Sequence, residues 1–412
     1  MSEVLVGKSG RPLAGHQERV WKTVAAIRDD IAAAHVEARL EPSLSGGLGG
    51  GILLNRYLHL VDPDSLYEPE AERYLDRLMA MVDRLPLTHF YGGTVGVAWL
   101  LTHLAHLDGE EPDIVDLDDI LVAVLREPWQ GTYDLVGGLV GVGFYGLERL
   151  PHENGRELLD LAVRRLGDLA VAGVDGTAWF TPPQFVPPLQ IGAYPDGYHN
   201  LGLAHGVPGC IRLLAEAARV DVQADLAVRL LDDSVPWLLH HVQRDGDRWT
   251  LPAYAEGSGR PHARLAWCYN ELGAMTAVYA AGEVRGRVDW SKTAAAILRS
   301  TCGLPVEQSG CRDACLCHGA AGVAHIYQVM ADEIGDEVLR REAERWFGAT
   351  LEMGKPGSSC GGYRYFHVDG DSGTQTWDPR PGFLEGAAGI GLALLAAAWD
   401  VPMGWNRILA LG

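Results

Sequence analysis

Phe383-Leu384-Glu385-Gly386-Ala387-Ala388-Gly389-Ile390-Gly391-Leu392-Ala393-Leu394-Leu395-Ala396-Ala397 is a glycine turn that runs without a break into an apolar, helix-forming stretch. Six earlier segments share its opening: Ser45-Gly46-Gly47-Leu48-Gly49-Gly50, Tyr91-Gly92-Gly93-Thr94-Val95-Gly96, Gly137-Gly138-Leu139-Val140-Gly141, Ala204-His205-Gly206-Val207-Pro208-Gly209, Cys268-Tyr269-Asn270-Glu271-Leu272-Gly273 and Cys317-His318-Gly319-Ala320-Ala321-Gly322. A repeated supersecondary unit decides the architecture before any local reading does. With the first glycine of each copy as register mark, the marks fall at 47, 93, 138, 206, 270, 319 and 386, Asn270 standing in for glycine, and the spacings are 46, 45, 68, 64, 49 and 67.

Each interval has room for the apolar helix and a second, amphipathic one. Within Glu70 to Met79, for example, Tyr74, Leu75, Leu78 and Met79 follow helical spacing. The simplest closed arrangement is all-α: an α/α toroid, a double ring of seven inner and seven outer helices. A closed ring needs all its repeats, so one domain is expected over residues 1–412, with rim insertions near 150–200 and 240–262. In the first insertion, Val174-Asp175-Gly176-Thr177-Ala178-Trp179-Phe180-Thr181-Pro182-Pro183 and the following Pro187-Pro188 cannot be helix interior. In the second, Asp245-Gly246-Asp247-Arg248-Trp249-Thr250-Leu251-Pro252 reads as a turn entering a short strand. Small irregular or β excursions are expected at both places.

Composition narrows the function. Fifty-four acidic residues against 34 basic ones leave a formal charge of −20, which excludes a general phosphate-backbone binder, so no nucleic-acid partner is expected. The same charge suits either plain solubility or attraction of a cationic peptide. Residues 1–16 lack the apolar core of a signal peptide, and no apolar run approaches the roughly 18 residues of a spanning helix. With seven cysteines, an odd number, the reading is a cytoplasmic protein with reduced thiols, reaching a membrane only through a biosynthetic complex.

The register separates side chains that carry chemistry from those that only pack. Two positions before the marks stand Ser45, Tyr91, Val136, Ala204, Cys268, Cys317 and Leu384; one position before, in the last four repeats, stand His205, Tyr269, His318 and Glu385. Cys268 and Cys317 therefore occupy equivalent places in adjacent repeats. A lone buried cysteine is more often core than ligand, but two in register with an adjacent histidine are the donor set of a catalytic zinc with an open fourth position. Helix N-termini at the same turns favour thiolates. Cys311 and Cys315 are rival ligands; Cys315 falls outside the shared position and is read as core or as a support to the ligands. A zinc with two thiolates and a neutral imidazole can take up a further thiol as a thiolate. Attack of that thiolate on an electron-poor alkene puts charge on an amide oxygen and calls for a proton donor. His205 is the best placed; a satisfied core histidine is the alternative. Asp134, four residues before its mark, could hold that imidazole in one tautomer or cap a helix instead. His199 is a second candidate acid, off the register. Glu385 is expected to order the junction of last and first repeats.

These segments resemble the lanthionine synthetase C-like proteins, the lantibiotic cyclases, through Leu203-Ala204-His205-Gly206, Trp267-Cys268-Tyr269, Cys317-His318-Gly319 and the closing Phe383 to Gly389. The likeness runs from about the first mark to the C-terminus. It implies an α/α toroid with one zinc ion on Cys268, Cys317 and His318, and places His205, Asp134, Arg264 and Tyr269 in the active site. The implied activity is that of a stand-alone (class I) lanthipeptide cyclase: a precursor-peptide cysteine adds to a dehydroalanine or dehydrobutyrine, closing a lanthionine or methyllanthionine ring. No kinase or phosphate-loop signature is apparent, so a separate dehydratase, a transporter and the leader-bearing precursor are the implied partners, with the segments around Trp179 and Trp249 as expected contact surfaces. Asn270 departs from the family's glycine, at a turn where asparagine tolerates a left-handed backbone better than most residues. Three other readings stay open: addition of glutathione to dehydrated residues, a prenyltransferase-like zinc toroid, and a non-catalytic peptide-binding scaffold.

Overall fold

A computed structural model describes residues 10–37, 39–65, 67–256, 264–355, 357–368 and 374–412. Fourteen α-helices occur among the described residues: α1 (Gln17–Val36), α2 (Gly47–Val61), α3 (Tyr67–Met79), α4 (Thr94–Asp108), α5 (Val115–Arg126), α6 (Leu139–Glu148), α7 (Glu153–Leu169), α8 (Val207–Arg219), α9 (Ala224–His240), α10 (Glu271–Arg285), α11 (Val288–Ser300), α12 (Ala320–Ile334), α13 (Glu337–Met353) and α14 (Ala387–Ala398).

The even-numbered helices start at the register marks. Their N-caps are Gly46, Gly93, Gly138, Gly206, Asn270, Gly319 and Gly386, so the mark is itself the cap in six repeats and lies one residue past it in the first. Glycine is required there by close approach rather than by φ. At Gly206, in extended backbone, a Cβ would sit 2.1 Å from the Asn200 carbonyl oxygen, and at Gly389 it would sit 1.9 Å from that of Phe383. The chain before each turn thus folds back onto the first turn of its own helix. Asn270 solves the problem differently, at φ 72° and ψ −170°, a region essentially reserved for glycine that costs a side chain roughly 1–3 kcal/mol.

The two helix sets differ in burial as their sequences differ. Every residue of α14 is buried, and α12 is buried from Ala320 to Ala331, whereas α13 buries only a stripe of Leu339, Glu342, Ala343, Trp346, Phe347, Thr350 and Leu351. In α3 the buried stripe is Tyr67, Glu70, Ala71, Tyr74 and Leu78; Leu75 is half-buried and Met79 is 43% exposed, so two of the four expected contact residues face away from the core.

Two compact units share the chain. The first comprises residues up to Leu85, Arg264–Trp267 and Cys302–Gly404; the second comprises Pro86–Ala263, Cys268–Thr301 and Trp405–Gly412. Within the first, α2 packs on α1, α3 and α14, and α12 packs on α13 and α14. Within the second, α6 packs on α4, α7 and α8, and α10 packs on α8 and α11. Among the described residues, three antiparallel strand pairs interrupt the helices: β1 (Val171–Gly173) with β2 (Gly176–Ala178), β3 (Gln243–Asp245) with β4 (Arg248–Thr250), and β5 (Tyr365–Val368) with β6 (Gln375–Asp378). The first two fall in the expected insertions; residues 257–262 of the second insertion lie outside the described residues. Trp179, expected on a contact surface, is fully buried and donates its indole N–H to the Leu166 carbonyl at 2.9 Å, because the chain after β2 turns inward. No helix among the described residues is long and apolar enough to cross a membrane.

Candidate active site and metal centre

The turns, not the helices, carry the polar side chains, and within each unit they are laced together by backbone hydrogen bonds at the positions just before the marks. In the second unit, Tyr91 N–H donates to Val136 O (3.1 Å), Leu135 N–H to Ala204 O (3.1 Å) and Ala204 N–H to Cys268 O (3.3 Å). In the first unit, Trp267 N–H donates to Cys317 O (3.1 Å), Cys317 N–H to Leu384 O (3.0 Å) and Phe383 N–H to Ser45 O (2.9 Å). Within each unit, neighbouring turns therefore lie side by side.

The second unit holds a histidine–carboxylate pair. His205 precedes the N-cap of α8, and its Nδ1 lies 2.6 Å from Asp134 Oδ2. The other carboxylate oxygen, Oδ1, accepts the Gly137 N–H at 2.8 Å and the Thr132 hydroxyl at 3.3 Å. Asp134 consequently closes its own turn and meets the imidazole as well; the helix-cap alternative does not hold, since α6 has Gly138 as N-cap with no side-chain cap bond. Burial alone would raise the Asp134 pKa, but the His205 contact and the two local donors leave it lowered. For His205, burial works downward, yet the Asp134 hydrogen bond and charge, helped by the nearby Cys268, leave it raised. The ring is enclosed by protein but keeps 40% of its side-chain surface open, toward a cleft of about 510 Å³ that both dyad residues line. Tyr269 lines the same cleft with its ring 6.3 Å from His205. Burial, then the neighbouring Tyr254, pushes the Tyr269 phenol well above its ordinary range, so it stays a neutral hydroxyl, and its oxygen accepts from Asn200 Nδ2 at 3.1 Å.

His199 belongs elsewhere. Its backbone N–H donates to Glu256 Oε2 at 2.7 Å, its Nδ1 meets Glu256 Oε1, and its ring packs on Phe180 and Trp237; it does not line the cleft.

In the first unit, Cys317 is buried and His318 half-buried on the turn that opens α12. Asp313, Cys315 and His318 offer donor atoms within 4.8 Å of one another. Asp313 is itself fixed: Oδ1 accepts the Cys315 N–H at 3.0 Å, Oδ2 accepts the Phe366 N–H of β5 at 2.9 Å, and Oδ2 stands 4.0 Å from His318 Nε2. Burial first, then the Asp313 charge, pushes the Cys315 thiol well up. Cys311 donates its S–H to the Leu265 carbonyl at 3.1 Å and is held as core. The His318 ring lies 5.4 Å from that of Tyr365, over which the Arg380 guanidinium stacks at 4.1 Å. Arg380 in turn donates to Glu385 at 2.7 Å, so Glu385 has a local partner in its own turn. Arg264 is half-buried at the start of the Arg264–Trp267 segment.

Sequence reading passed over a second register. Six residues before the marks stand Thr132, Asn200, Arg264, Asp313 and Arg380. The backbone carbonyls of Thr132, Asn200, Asp313 and Arg380 each accept from the first helical N–H after the mark. This shared anchoring brings their side chains to the same turns; Asn200, Asp313 and Arg380 were missed, and polarity recurring at that offset was the available signal.

Against known proteins, the family model described as lanthionine synthetase C-like protein matches residues 38–409. The nisin biosynthesis protein NisC of Lactococcus lactis subsp. lactis is 27% identical over 191 residues, an alignment that spans 43% of this chain and 45% of that protein, somewhat under half its length. Among solved structures, nisin cyclase superposes with a TM-score of 0.75 at 21% identity, covering 93% of this chain and 96% of that one. That likeness establishes the all-α, α/α-toroid class expected from the repeats. A family match across most of the chain, on a fold whose glycine turns carry the Trp267-Cys268-Tyr269 and Cys317-His318-Gly319 segments, makes this chain a member of the lanthionine synthetase C-like family.

Proposed function

We propose that the chain is a zinc-dependent lanthionine synthetase, a carbon–sulfur bond-forming cyclase acting on a dehydrated, leader-bearing precursor peptide in the cytoplasm. The thiol of a peptide cysteine adds to the β-carbon of a dehydroalanine or dehydrobutyrine in the same peptide. Sulfur forms the new C–S bond, the alkene pair moves through the α-carbon onto the amide oxygen, and a proton returns to the α-carbon. A free thiol is consumed and the mass is unchanged.

The observation that carries this reading is the ladder of turn hydrogen bonds. Within the second unit it ties Cys268 to Ala204, the neighbour of His205, and within the first it ties Cys317 to Leu384. Cys268, Cys317 and His318 are the ligands that the shared register implies, and two thiolates with one imidazole are a zinc-type donor set with room for a substrate. Zinc, when bound, supplies a lowered thiol pKa, so that the incoming sulfur is a thiolate at neutral pH.

The remaining roles fall to the protein. Asp134 fixes Nδ1 of His205 and favours its protonated form, which leaves Nε2 to deliver the proton to the α-carbon. Arg264 binds the peptide carbonyl on which negative charge collects, and Tyr269 lines the His205 cleft with a neutral hydroxyl. A separate dehydratase supplies the alkene, and a transporter removes the product.

Incubating the zinc-loaded protein with a dehydrated precursor, then counting alkylatable thiols by mass spectrometry beside Cys317→Ala, tests the reading. Loss of thiol at constant peptide mass, absent in the variant, is the expected result. Persistent thiols across several dehydrated peptides would overturn it.

A further inference from the structure

The cleft above His205 has walls that the proton-transfer chemistry does not require. They come chiefly from the insertion between the third and fourth repeats: Leu169, Val171 of β1, Phe180 and Phe185, joined by Tyr133 and Tyr198. The polar side chains there are taken up by the tyrosine hydroxyls. Thr181 Oγ1 lies 3.2 Å from Tyr133 OH, Tyr198 OH donates to Gln190 at 2.9 Å, and Asn200 donates to Tyr269 at 3.1 Å. Ring faces and aliphatic groups therefore make most of the surface.

Charge decides what such a cleft accepts. Among its described lining residues the one charged pair is Asp134–His205, whose charges answer each other at 2.6 Å, and none is a lysine, arginine or glutamate, although the chain carries 34 Lys and Arg. A lysine or aspartate side chain entering here would lose its water and find no partner. An apolar one would lose nothing and gain by leaving water. At about 510 Å³ the cleft falls within the range of small-ligand sites, which are likewise mostly apolar with a few placed polar groups.

We propose that this cleft is a side-chain subsite of the cyclase: it receives an uncharged apolar or aromatic side chain next to the acceptor alkene, with Phe180, Phe185 and Tyr198 setting the preference. The inference rests on the cyclase reading and on His205 as proton donor. The repeats thus provide the chemistry, and the insertion provides the choice of which alkene reaches it.

Two dehydrated peptides with cysteine replaced by serine, one carrying leucine and one lysine beside the dehydroalanine, are titrated into the zinc-loaded protein by calorimetry. Wild-type protein is expected to favour the leucine peptide at least tenfold. Phe185→Asp, on a half-buried turn residue, should weaken the leucine peptide about tenfold and strengthen the lysine peptide, while Phe185→Leu keeps the wild-type order. Equal affinities in the wild type, no measurable binding of either, or a Phe185→Asp effect equal on both peptides overturns the subsite. Preference without thioether formation from the cysteine-containing peptides would sink the cyclase reading and leave the subsite; thioethers formed without preference would do the reverse.

Discussion

Among the described residues of the second unit, histidines pair with three carboxylates, Glu148, Glu256 and Asp134, and the settings differ more than the chemistry. His103 Nδ1 meets Glu148 at 3.1 Å with both side chains buried, and Arg407 of the C-terminal segment donates to the same carboxylate at 2.9 Å. His199 and Glu256 pair on loops, with 24% and 38% of their side chains exposed, behind the ring of Phe180. His205 and Asp134 pair on two glycine turns and alone line the cleft. A buried, fully answered pair stabilises the fold, an outer pair fixes a loop, and only a pair with one ring nitrogen facing a cavity can exchange a proton with a substrate. Identity of the side chains says little; lining the cleft makes the difference.

The sharpest way to break this comparison is to remove the imidazoles one at a time. His205→Asn is expected to lower cyclisation by about 10²–10⁴-fold, the range for a general acid, and His199→Asn by less than about threefold. Equal losses in single-turnover assays would mean that the cleft does not distinguish the pairs.

Next in size is the closed pair. Burial raises the Glu148 pKa, but the bonds from His103 and His106 and the Arg407 charge outweigh it and hold the carboxyl at about 2. A depressed carboxylate contributes stability that is present above its unfolded pKa and is lost as pH falls from about 4.5 toward 2. Glu148→Gln should therefore destabilise the protein at neutral pH by about 3–5 kcal/mol, with a smaller deficit near pH 3. Denaturant titrations at the two pH values check the sign; a deficit that grows on acidification would contradict the pairing.

The smallest effect sharpens the dyad itself. Asp134→Asn is expected to cost about 10–100-fold in rate, as for other residues that orient a histidine. It should also move the falling limb of the pH–rate profile to lower pH, because burial, which pushes His205 down, is left without the carboxylate that raised it. An unshifted limb with reduced rate would assign Asp134 to turn closure only.

Much of this was legible because glycine turns are local steric problems. The carbonyl that would strike a Cβ at Gly206 belongs to Asn200, six residues earlier, so the need for glycine is written within a few positions and repeats wherever the turn repeats. The helix starts and, within each unit, the pairing of neighbouring turns follow from that register. The β5–β6 strand pair, the burial of Trp179 and the outward face of Leu75 and Met79 do not, since each depends on which distant surface the segment meets. Asn270 sits between these cases: its substitution for glycine marked the departure, but only the backbone displays how it is accommodated.

Sequence alone determined the repeat, the all-α class, the in-register cysteines with His318 and the histidine at the fourth mark, because each is a matter of periodicity along one chain. Tertiary structure decided which of three chemically similar pairs opens onto a cavity, that residues six before the marks share its turns, and that an irregular insertion lines the cleft with uncharged rings. Those facts depend on side chains from segments far apart in the chain, whose solvation and partners exist only once the helices have packed.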